Sequence, residues 1–181
     1  MTIGNAQSGP VQLRLDTTCG DDVPQKDFRD AMASLAASVC VVTARSGSER
    51  LGRTVTAAMS LGIDPPAILV SINAGSDLAT MIRASGGFSI AILSEFQQDV
   101  ADAFAGKQGV EHRFGYGDWK DWPSGHPRLD GAVAALDCAV IGEMDVADHI
   151  LFAGGPREID LDDTQTPLVW HHRRYNSVCT L

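Results

Sequence analysis

The stretch LGRTVTAAMSLGIDPPAILVSIN, residues 51–73, carries the pattern on which the fold prediction rests. Its first part mixes β-branched with small residues and follows the strand-like run VCVVTAR, residues 39–45, with which it predicts a hairpin. The dipeptide Pro65-Pro66 then stops any continuation, because proline lacks the N–H that a strand ladder needs. AILVSIN after the prolines is a further short apolar strand. The stretch therefore predicts consecutive short strands separated by turns.

The same pattern of short strands extends toward the C-terminus. The further strands are predicted at residues 86–93, 133–143, 149–159 and, as a single last strand, 167–175. A turn near Val146-Ala147 joins the strands predicted at residues 133–143 and 149–159. Many short strands with frequent turns favour a mainly β fold, a barrel or sandwich decorated by a few helices.

Three helices are predicted between the strands. The first follows Asp22 and Pro24 and places Phe28, Met32, Leu35 and Ala36 at helical spacing. A second begins at Ser76, whose hydroxyl caps the first turn. A third opens at Ser94 with Gln97 at capping-box spacing and stops at Gly106. Residues 107–126 read as one long polar loop.

Length and composition limit the classes of protein that the chain can belong to. The 181 residues suit one domain, with a flexible arm over residues 1–23 and a folded domain over residues 24–181. The net charge of −9 argues against nucleic-acid partners and against an anionic membrane surface. The N-terminus does not resemble a signal peptide, and the four cysteines lack metal-ligand spacing. We therefore expect a cytoplasmic protein with buried Cys40 and Cys138, no membrane span and no metal.

Two clusters of polar residues admit both a functional and an ordinary interpretation. Asp148-His149 could form a hydrolytic triad with Ser60 or Ser71, but an ordinary Asp-His pair in a strand turn is favoured. In the sequence HHRR, residues 171–174, the two histidines would face opposite sides of a strand and so would not share a metal. A solvated or interface-facing strand end is the default interpretation there.

Residues 52–80 carry the most informative polar pattern. Hydroxyls at Thr54, Thr56 and Ser60 surround the small residue Ala57, which lets a flat ligand approach the backbone. Ser76 then opens a helix, and a helix N-terminus is suited to binding a phosphate. A planar polar heterocycle whose phosphate lies at a helix start describes a flavin mononucleotide. Ordinary strand and cap chemistry remains the alternative.

The order and spacing of several motifs resemble the flavin reductase family, the small reductase components of two-component flavin monooxygenases. The resemblance runs from about Phe28 to Tyr175 and rests on these segments: FRDAMASLAASVCVVTA, the 51–73 stretch, SDLATMIRASGGF, DVADAFAG, GHPRLDGAVAALDC, ADHILFAG and PLVWHHRRY. The family implies an FMN-binding split β-barrel, a homodimer, FMN or FAD as flavin, and NADH or NADPH as hydride donor. It also implies that reduced flavin is supplied to a partner oxygenase.

The resemblance assigns roles to particular residues. Residues 54–60 would hold the isoalloxazine and ribityl chain, with the phosphate near Ser76, and the Asp148-His149 turn would lie over the nicotinamide. No catalytic acid or base is implied, because hydride transfer belongs to the cofactors. The residues expected to bind cofactor are Arg53, Thr54, Val55, Thr56, Ala57, Ser60, Asn73, Ser76, Phe88, Ala91, Phe104, His126, Asp148, His149 and Tyr175.

Four positions depart from the family's usual residues, and one of them, Leu78, stands where a threonine is common, close to the phosphate site expected at Ser76. Ala147 stands where a glycine is usual, which bears on the shape of the turn before His149. Ala91 replaces a common asparagine, and Arg53 a common apolar residue. Arg53 either faces the site, where it would favour an anionic ligand, or lies on the surface of an edge strand. Two further functions stay open: a flavoprotein that passes electrons to another acceptor, such as a cobalt-corrin, and a non-catalytic FMN-binding protein.

Overall fold

Strands dominate the computed structural model, which describes residues 11–12 and 23–179. In chain order they are β1 (Val11–Gln12), β2 (Ala37–Ser38), β3 (Cys40–Ser46), β4 (Glu49–Val55), β5 (Ala58–Ile63), β6 (Pro66–Asn73), β7 (Gly87–Ile92), β8 (Trp119–Asp121), β9 (Pro127–Leu129), β10 (Ala134–Val146), β11 (His149–Leu161), β12 (Val169–His171) and β13 (Arg174–Asn176). The α-helices are α1 (Gln25–Ala33), α2 (Asp77–Ser85) and α3 (Gln98–Asp102).

The largest sheet has the strand order β4-β3-β7-β10-β11-β6-β5, and β1 pairs in parallel with β10. All other pairs in this sheet are antiparallel. The strands β4 and β5 lie at opposite ends of this order, yet only Thr56 and Ala57 separate them in the chain. The mainly β prediction is confirmed.

Residues 51–60, which form the first part of the 51–73 stretch and are predicted as the second strand of the hairpin with residues 39–45, are divided between β4 and β5. The ladder of β4 with β3 ends at Val55, and the ladder of β5 with β6 begins at Ala58. Thr56 and Ala57 therefore pass from one edge strand to the other. The turn predicted at the prolines is found, because β5 ends and β6 begins around Asp64-Pro65.

Two apolar clusters form the core. One joins α2 to the sheet and includes Phe88, Phe152 and Ile82, and the other gathers Phe104, Trp122 and Leu168. The strand β7 lies between β3 and β10, so that nearly all its side chains are buried on both faces.

The cysteines in the described residues behave as predicted. Cys40 and Cys138 are buried free thiols, and burial raises the pKa of each to about 12. Cys179 is an exposed free thiol, and Cys19 lies outside the described residues. Cys40 and Cys138 therefore act as small apolar core residues.

The N-terminal third of the chain differs from the prediction in two respects. Most of the arm expected over residues 1–23 lies outside the described residues, but Val11 and Gln12 pair with Met144 and Asp145 of β10. The helix α1 ends at Ala33, before Leu35 and Ala36, and none of its side chains is buried. Its apolar face is thus solvent-exposed in a single chain rather than part of the core.

The prediction of one last strand over residues 167–175 is wrong. The chain reverses at His172 and Arg173, both of which have positive φ, and so forms the hairpin β12–β13. The rings of His171 and His172 lie 4.0 Å apart between centroids, not on opposite faces, because His172 belongs to the turn. A tight turn with positive φ usually contains glycine or asparagine, and this one contains neither.

Two further predictions needed correction. The predicted loop over residues 107–126 contains a short 3₁₀ helix, Val110–Gly115, and the strand β8. The helix predicted from Ser94 begins instead with α3 and continues as a π-helical turn, Ala103–Lys107. In the part of the chain that the structure describes, no helix is long and apolar enough to cross a membrane.

Candidate functional site

A cleft of about 400 Å³ lies where β4, β6, β11 and the start of α2 meet. Its volume is in the range of sites for small molecules and cofactors. The residues that line it are Arg53, Thr54, Val55, Thr56, Ala57, Ser71, Ile72, Asn73, Ser76 and His149. All but Ser71 and Ile72 are among the residues predicted from the sequence.

The ladder between β6 and β11 brings the two polar ends of the cleft together. His149, the first residue of β11, is registered opposite Asn73, the last residue of β6. The Asn73 side chain donates from Nδ2 to the carbonyl oxygen of Asp148 at 3.2 Å and accepts at Oδ1 from the N–H of Gly75 at 3.1 Å. Asn73 therefore fixes both the turn before His149 and the loop that leads into α2.

The helix α2 begins at the cleft with Ser76 as its N-cap. The Ser76 hydroxyl accepts a hydrogen bond from the N–H of Ala79 at 3.2 Å and donates to the carbonyl oxygen of Asn73 at 2.7 Å. The other N–H groups of a first helical turn lack partners within the helix, and the helix dipole is positive there. This end of the cleft is suited to a phosphate group.

The end of β4 forms the opposite wall. Thr54 donates from Oγ1 to the carbonyl oxygen of Ala101 at 2.7 Å, which ties the strand to α3. Arg53 is exposed on the edge strand β4 and also lines the cleft. At Gly52 an added Cβ would lie 2.6 Å from Cε1 of Phe104. Glycine thus allows Phe104 to support the strand from behind.

Asp148 and His149 form a hydrogen-bonded pair at the rim of the cleft. The distance from His149 Nδ1 to Asp148 Oδ1 is 2.8 Å, and this hydrogen bond lowers the pKa of Asp148. Ser71 lines the same cleft, but among the described residues no serine hydroxyl is hydrogen-bonded to His149. The geometry gives an Asp-His pair in a turn and no nucleophilic triad.

The turn before this pair keeps an unusual backbone conformation. Ala147 has φ of 51°, in the left-handed region, and with Asp148 it joins the paired residues Val146 and His149. A two-residue hairpin turn with positive φ at its first position favours glycine there. Alanine at 147 therefore preserves the turn that positions His149, at a cost in backbone strain.

A second, smaller cavity of about 160 Å³ adjoins the cleft and shares Thr54, Val55 and Thr56 with it. Its remaining lining is apolar or aromatic: Val39, Ala105, Trp170 and Tyr175. The rings of Trp170 and Tyr175 meet edge to face, with centroids 5.0 Å apart. The sequence prediction had included Tyr175 but had missed Trp170.

Apart from Asp148 at the rim, five residues predicted for the site line neither the cleft nor the adjoining cavity. Phe88 and Ala91 are buried in β7, in the middle of the sheet. Phe104 is buried against Phe114 and Trp119. His126 is buried as well and accepts at Nδ1 a hydrogen bond from the N–H of Arg45. Ser60 lines a separate groove beside α1.

Ser71 and Ile72 were absent from the predicted site for different reasons. Ser71 lies two residues before Asn73 in β6, and the period of two along a strand would have placed both on one face. Ile72 is a buried core residue that only borders the cleft, and nothing in the sequence distinguishes it from its apolar neighbours.

The cleft fits a flavin in the chemistry of its donors. Hydroxyl groups of Thr56, Ser71 and Ser76 line it for a ribityl chain, and Ala57 leaves room for a planar ring near the backbone. The start of α2 offers N–H groups to a phosphate. A mainly β fold with such a cleft is consistent with the class of flavin-binding split barrels.

Comparison with known proteins supports this class. The flavin reductase like domain family matches residues 32–178. The chain is 32% identical over 156 residues to FMN reductase (NADH) RutF of Stutzerimonas stutzeri (strain A1501), covering 86% of this chain and 90% of that protein. It is 35% identical over 159 residues to the 4-hydroxyphenylacetate 3-monooxygenase reductase component of Salmonella dublin, covering 87% and 94%.

A solved structure agrees with the sequence comparison. The NADH:FAD oxidoreductase SgcE6 of Streptomyces globisporus C-1027, in complex with NAD and FAD fragments, superposes with a TM-score of 0.79 at 25% identity, covering 88% of this chain and 98% of that one. The chain belongs to the flavin reductase like domain family. It is an enzyme of the NAD(P)H:flavin oxidoreductase class.

Proposed function

We propose that this flavin reductase uses NADH or NADPH to reduce FMN or FAD and supplies the reduced flavin to a partner oxygenase. The observation that carries the proposal is the cleft itself, where hydroxyl groups and the start of α2 face His149 across the β6–β11 ladder. The relatives support the proposal, since one is an FMN reductase (NADH) and another the reductase component of a monooxygenase.

The residues of the cleft divide the work of binding. Ser76 and the first turn of α2 hold the flavin phosphate, and Thr56, Ala57 and Ser71 lie along the ribityl chain and ring. Arg53 places a positive charge at the cleft, in a protein whose net charge is −9, and so attracts anionic ligands to this site.

His149 orients the hydride donor at the rim. A bound flavin and nicotinamide would supply the hydride-transfer chemistry, which needs close, aligned rings rather than an acid or a base from the protein. The hydrogen bond to Asp148 fixes the plane of the His149 imidazole, and Asn73 fixes the turn that carries it.

A homodimer completes the proposal. Phe28, Met32 and Leu35 expose an apolar stripe on and after α1, and Met59 and Ile63 are exposed on the edge strand β5. A groove of about 500 Å³ beside them is lined mostly by apolar residues. We propose that a second copy covers this surface; sedimentation velocity should give the mass of two chains, and Phe28→Asp should shift it to one.

The central experiment follows NADH consumption by the purified protein with and without added free flavin. Turnover that rises with the concentration of added FMN or FAD supports the proposed function. A protein with tightly bound flavin, whose yellow colour NADH bleaches once and which shows little turnover on added flavin, would instead indicate electron transfer to another acceptor. A protein that binds FMN without being bleached would be a non-catalytic flavin-binding protein.

The same assay, run with NADPH and with each flavin in turn, fixes the preferred donor and cofactor. The location of the protein in the cytoplasm also remains a proposal. It is supported by the free thiols of Cys40 and Cys138.

A further inference from the structure

Asp102 holds a side chain of the second cavity without lining either cavity itself. It is the last residue of α3, and its Oδ1 accepts a hydrogen bond from the Tyr175 hydroxyl at 2.6 Å. The ammonium of Lys107 lies 2.7 Å from the same oxygen and 5.8 Å from the centroid of the Tyr175 ring. One carboxylate therefore holds the aromatic side chain that forms a wall of the second cavity.

The backbone around Asp102 also contacts the other wall of that cavity. Thr54, which lines both cavities, donates to the carbonyl oxygen of Ala101, the residue before Asp102. The π-helical turn that follows supplies Ala105 to the lining of the second cavity. Residues 101–105 thus set the distance between β4 and Tyr175.

The protonation states of Tyr175 and Asp102 favour a stable hydrogen bond between them. Burial, followed by the hydrogen bond to Asp102, raises the pKa of Tyr175 above its ordinary value. Burial acts to raise the pKa of Asp102, but the hydrogen bonds from Lys107 and Tyr175 outweigh it and lower that pKa. At neutral pH the phenol is the donor and the carboxylate the acceptor.

The two cavities differ in a way that matches the two ends of a flavin. The cleft carries hydroxyls and the start of α2, which suit the phosphate and ribityl chain, whereas the second cavity is walled by Trp170, Tyr175, Val39 and Val55. A planar ring that extends past Thr54 and Thr56 would enter this apolar space. Aromatic walls favour flat ligands through edge and face contacts.

We propose that Asp102 is a positioning residue for flavin binding. It holds the Tyr175 ring against Trp170, so that the two aromatic side chains form a preorganised wall for one edge of the isoalloxazine. The inference rests on the proposed function only in that the ligand of the cleft is a flavin.

The test is a comparison of FMN dissociation constants, measured by quenching of flavin fluorescence. Asp102→Ala and Tyr175→Phe should each raise Kd by about 5- to 10-fold, because each removes the same charge-assisted hydrogen bond. The double variant should bind FMN no more weakly than the weaker single variant, since both changes break one interaction. In steady-state assays the KM for FMN should rise while the KM for NADH stays within about two-fold.

Two conservative variants separate positioning from a general effect on folding. Asp102→Asn retains an oxygen acceptor for Tyr175 and should recover most of the affinity lost in Asp102→Ala. Lys107→Met leaves the Tyr175–Asp102 hydrogen bond in place and should keep Kd within about two-fold of the wild type. If Asp102→Ala does not fold, the Kd values of Tyr175→Phe and Asp102→Asn still test the positioning role, because the first should bind FMN more weakly and the second nearly as tightly as the wild type.

The inference would be overturned if the losses of FMN affinity in the two single variants added up in the double variant. It would also be overturned if Asp102→Ala and Tyr175→Phe both bound FMN with wild-type affinity, or if the wild-type protein bound no FMN. A wild type that binds FMN but does not oxidise NADH would refute the proposed reductase function alone, because the Kd comparison does not depend on turnover.

Discussion

Asn73, the last residue of β6, is paired with His149, the first residue of β11. The Asn73 side-chain amide also donates a hydrogen bond to the carbonyl oxygen of Asp148. The position of the imidazole is therefore determined by the end of a neighbouring strand as well as by its own turn. This relationship links the rim of the cleft to the end of β6 at the point where we place the hydride donor, and it leads to the first prediction.

His149→Ala should raise the KM for NADH by about 5- to 10-fold and lower kcat by less than about three-fold, because the imidazole orients the donor and transfers no proton. Asp148→Asn is the matched control, since an amide at 148 still offers an oxygen to His149. Unchanged KM and kcat in His149→Ala would remove the orienting role. A collapse of kcat with a new pH dependence would indicate proton transfer instead.

Ser76→Ala should weaken FMN binding more than riboflavin binding, because only FMN carries the phosphate that we place at the start of α2. The loss of the N-cap should also lower the free energy of unfolding by about 1 kcal/mol. Ser85→Ala at the far end of the same helix is the control and should leave both dissociation constants unchanged. Equal weakening for the two flavins would place the phosphate elsewhere.

Ala147→Gly should stabilise the protein by about 0.5–1 kcal/mol, because glycine adopts positive φ without the steric cost that alanine pays there. Urea unfolding of the two proteins measures the difference. Ala153→Gly in the interior of β11 provides the contrast and should destabilise by about 0.5–1 kcal/mol. A loss of stability in Ala147→Gly would show that the turn does not strain alanine.

The buried His126 should make stability depend on pH. Burial lowers its pKa below 6.5 in the folded state, and Nδ1 accepts a hydrogen bond that a proton there would break. The unfolded chain takes up a proton on this histidine below about pH 6.5, so in that range it binds more protons than the folded chain. The free energy of unfolding should therefore fall as the pH drops below about 6.5.

Urea unfolding at about pH 7.5 and about pH 5.5 tests this dependence. His126→Gln should reduce the difference between the two pH values, whereas His112→Gln, at an exposed histidine, should leave it as in the wild type. An unchanged pH difference in His126→Gln would contradict the assignment.

Local patterns predicted most strands of the main sheet and the Ser76 cap, because each depends on a few neighbouring residues. The C-terminal hairpin was missed because His172 and Arg173 adopt positive φ without a glycine or asparagine to signal it. The exposure of α1 was missed for a different reason: helical spacing of Phe28, Met32 and Leu35 predicts an apolar face but not what covers it.

The site was predicted best where its residues are close in sequence. Arg53 to Ala57 line the cleft together, and the family resemblance added His149 from a distant strand. The same resemblance placed Phe88 and Phe104 at the flavin, whereas both are fully buried. In β7 nearly every residue is buried, so its sequence gives no period that distinguishes a side facing the ligand from a side facing the core.

Thr56 and Ala57 join the two outermost strands of the main sheet, and the cleft lies on them. A ligand bound there would contact the edge strand β4 together with β6 and β11, which lie toward the other end of the sheet. Local opening of β4 at Arg53–Val55 should therefore compete with binding, and a filled cleft should slow amide exchange first in β4.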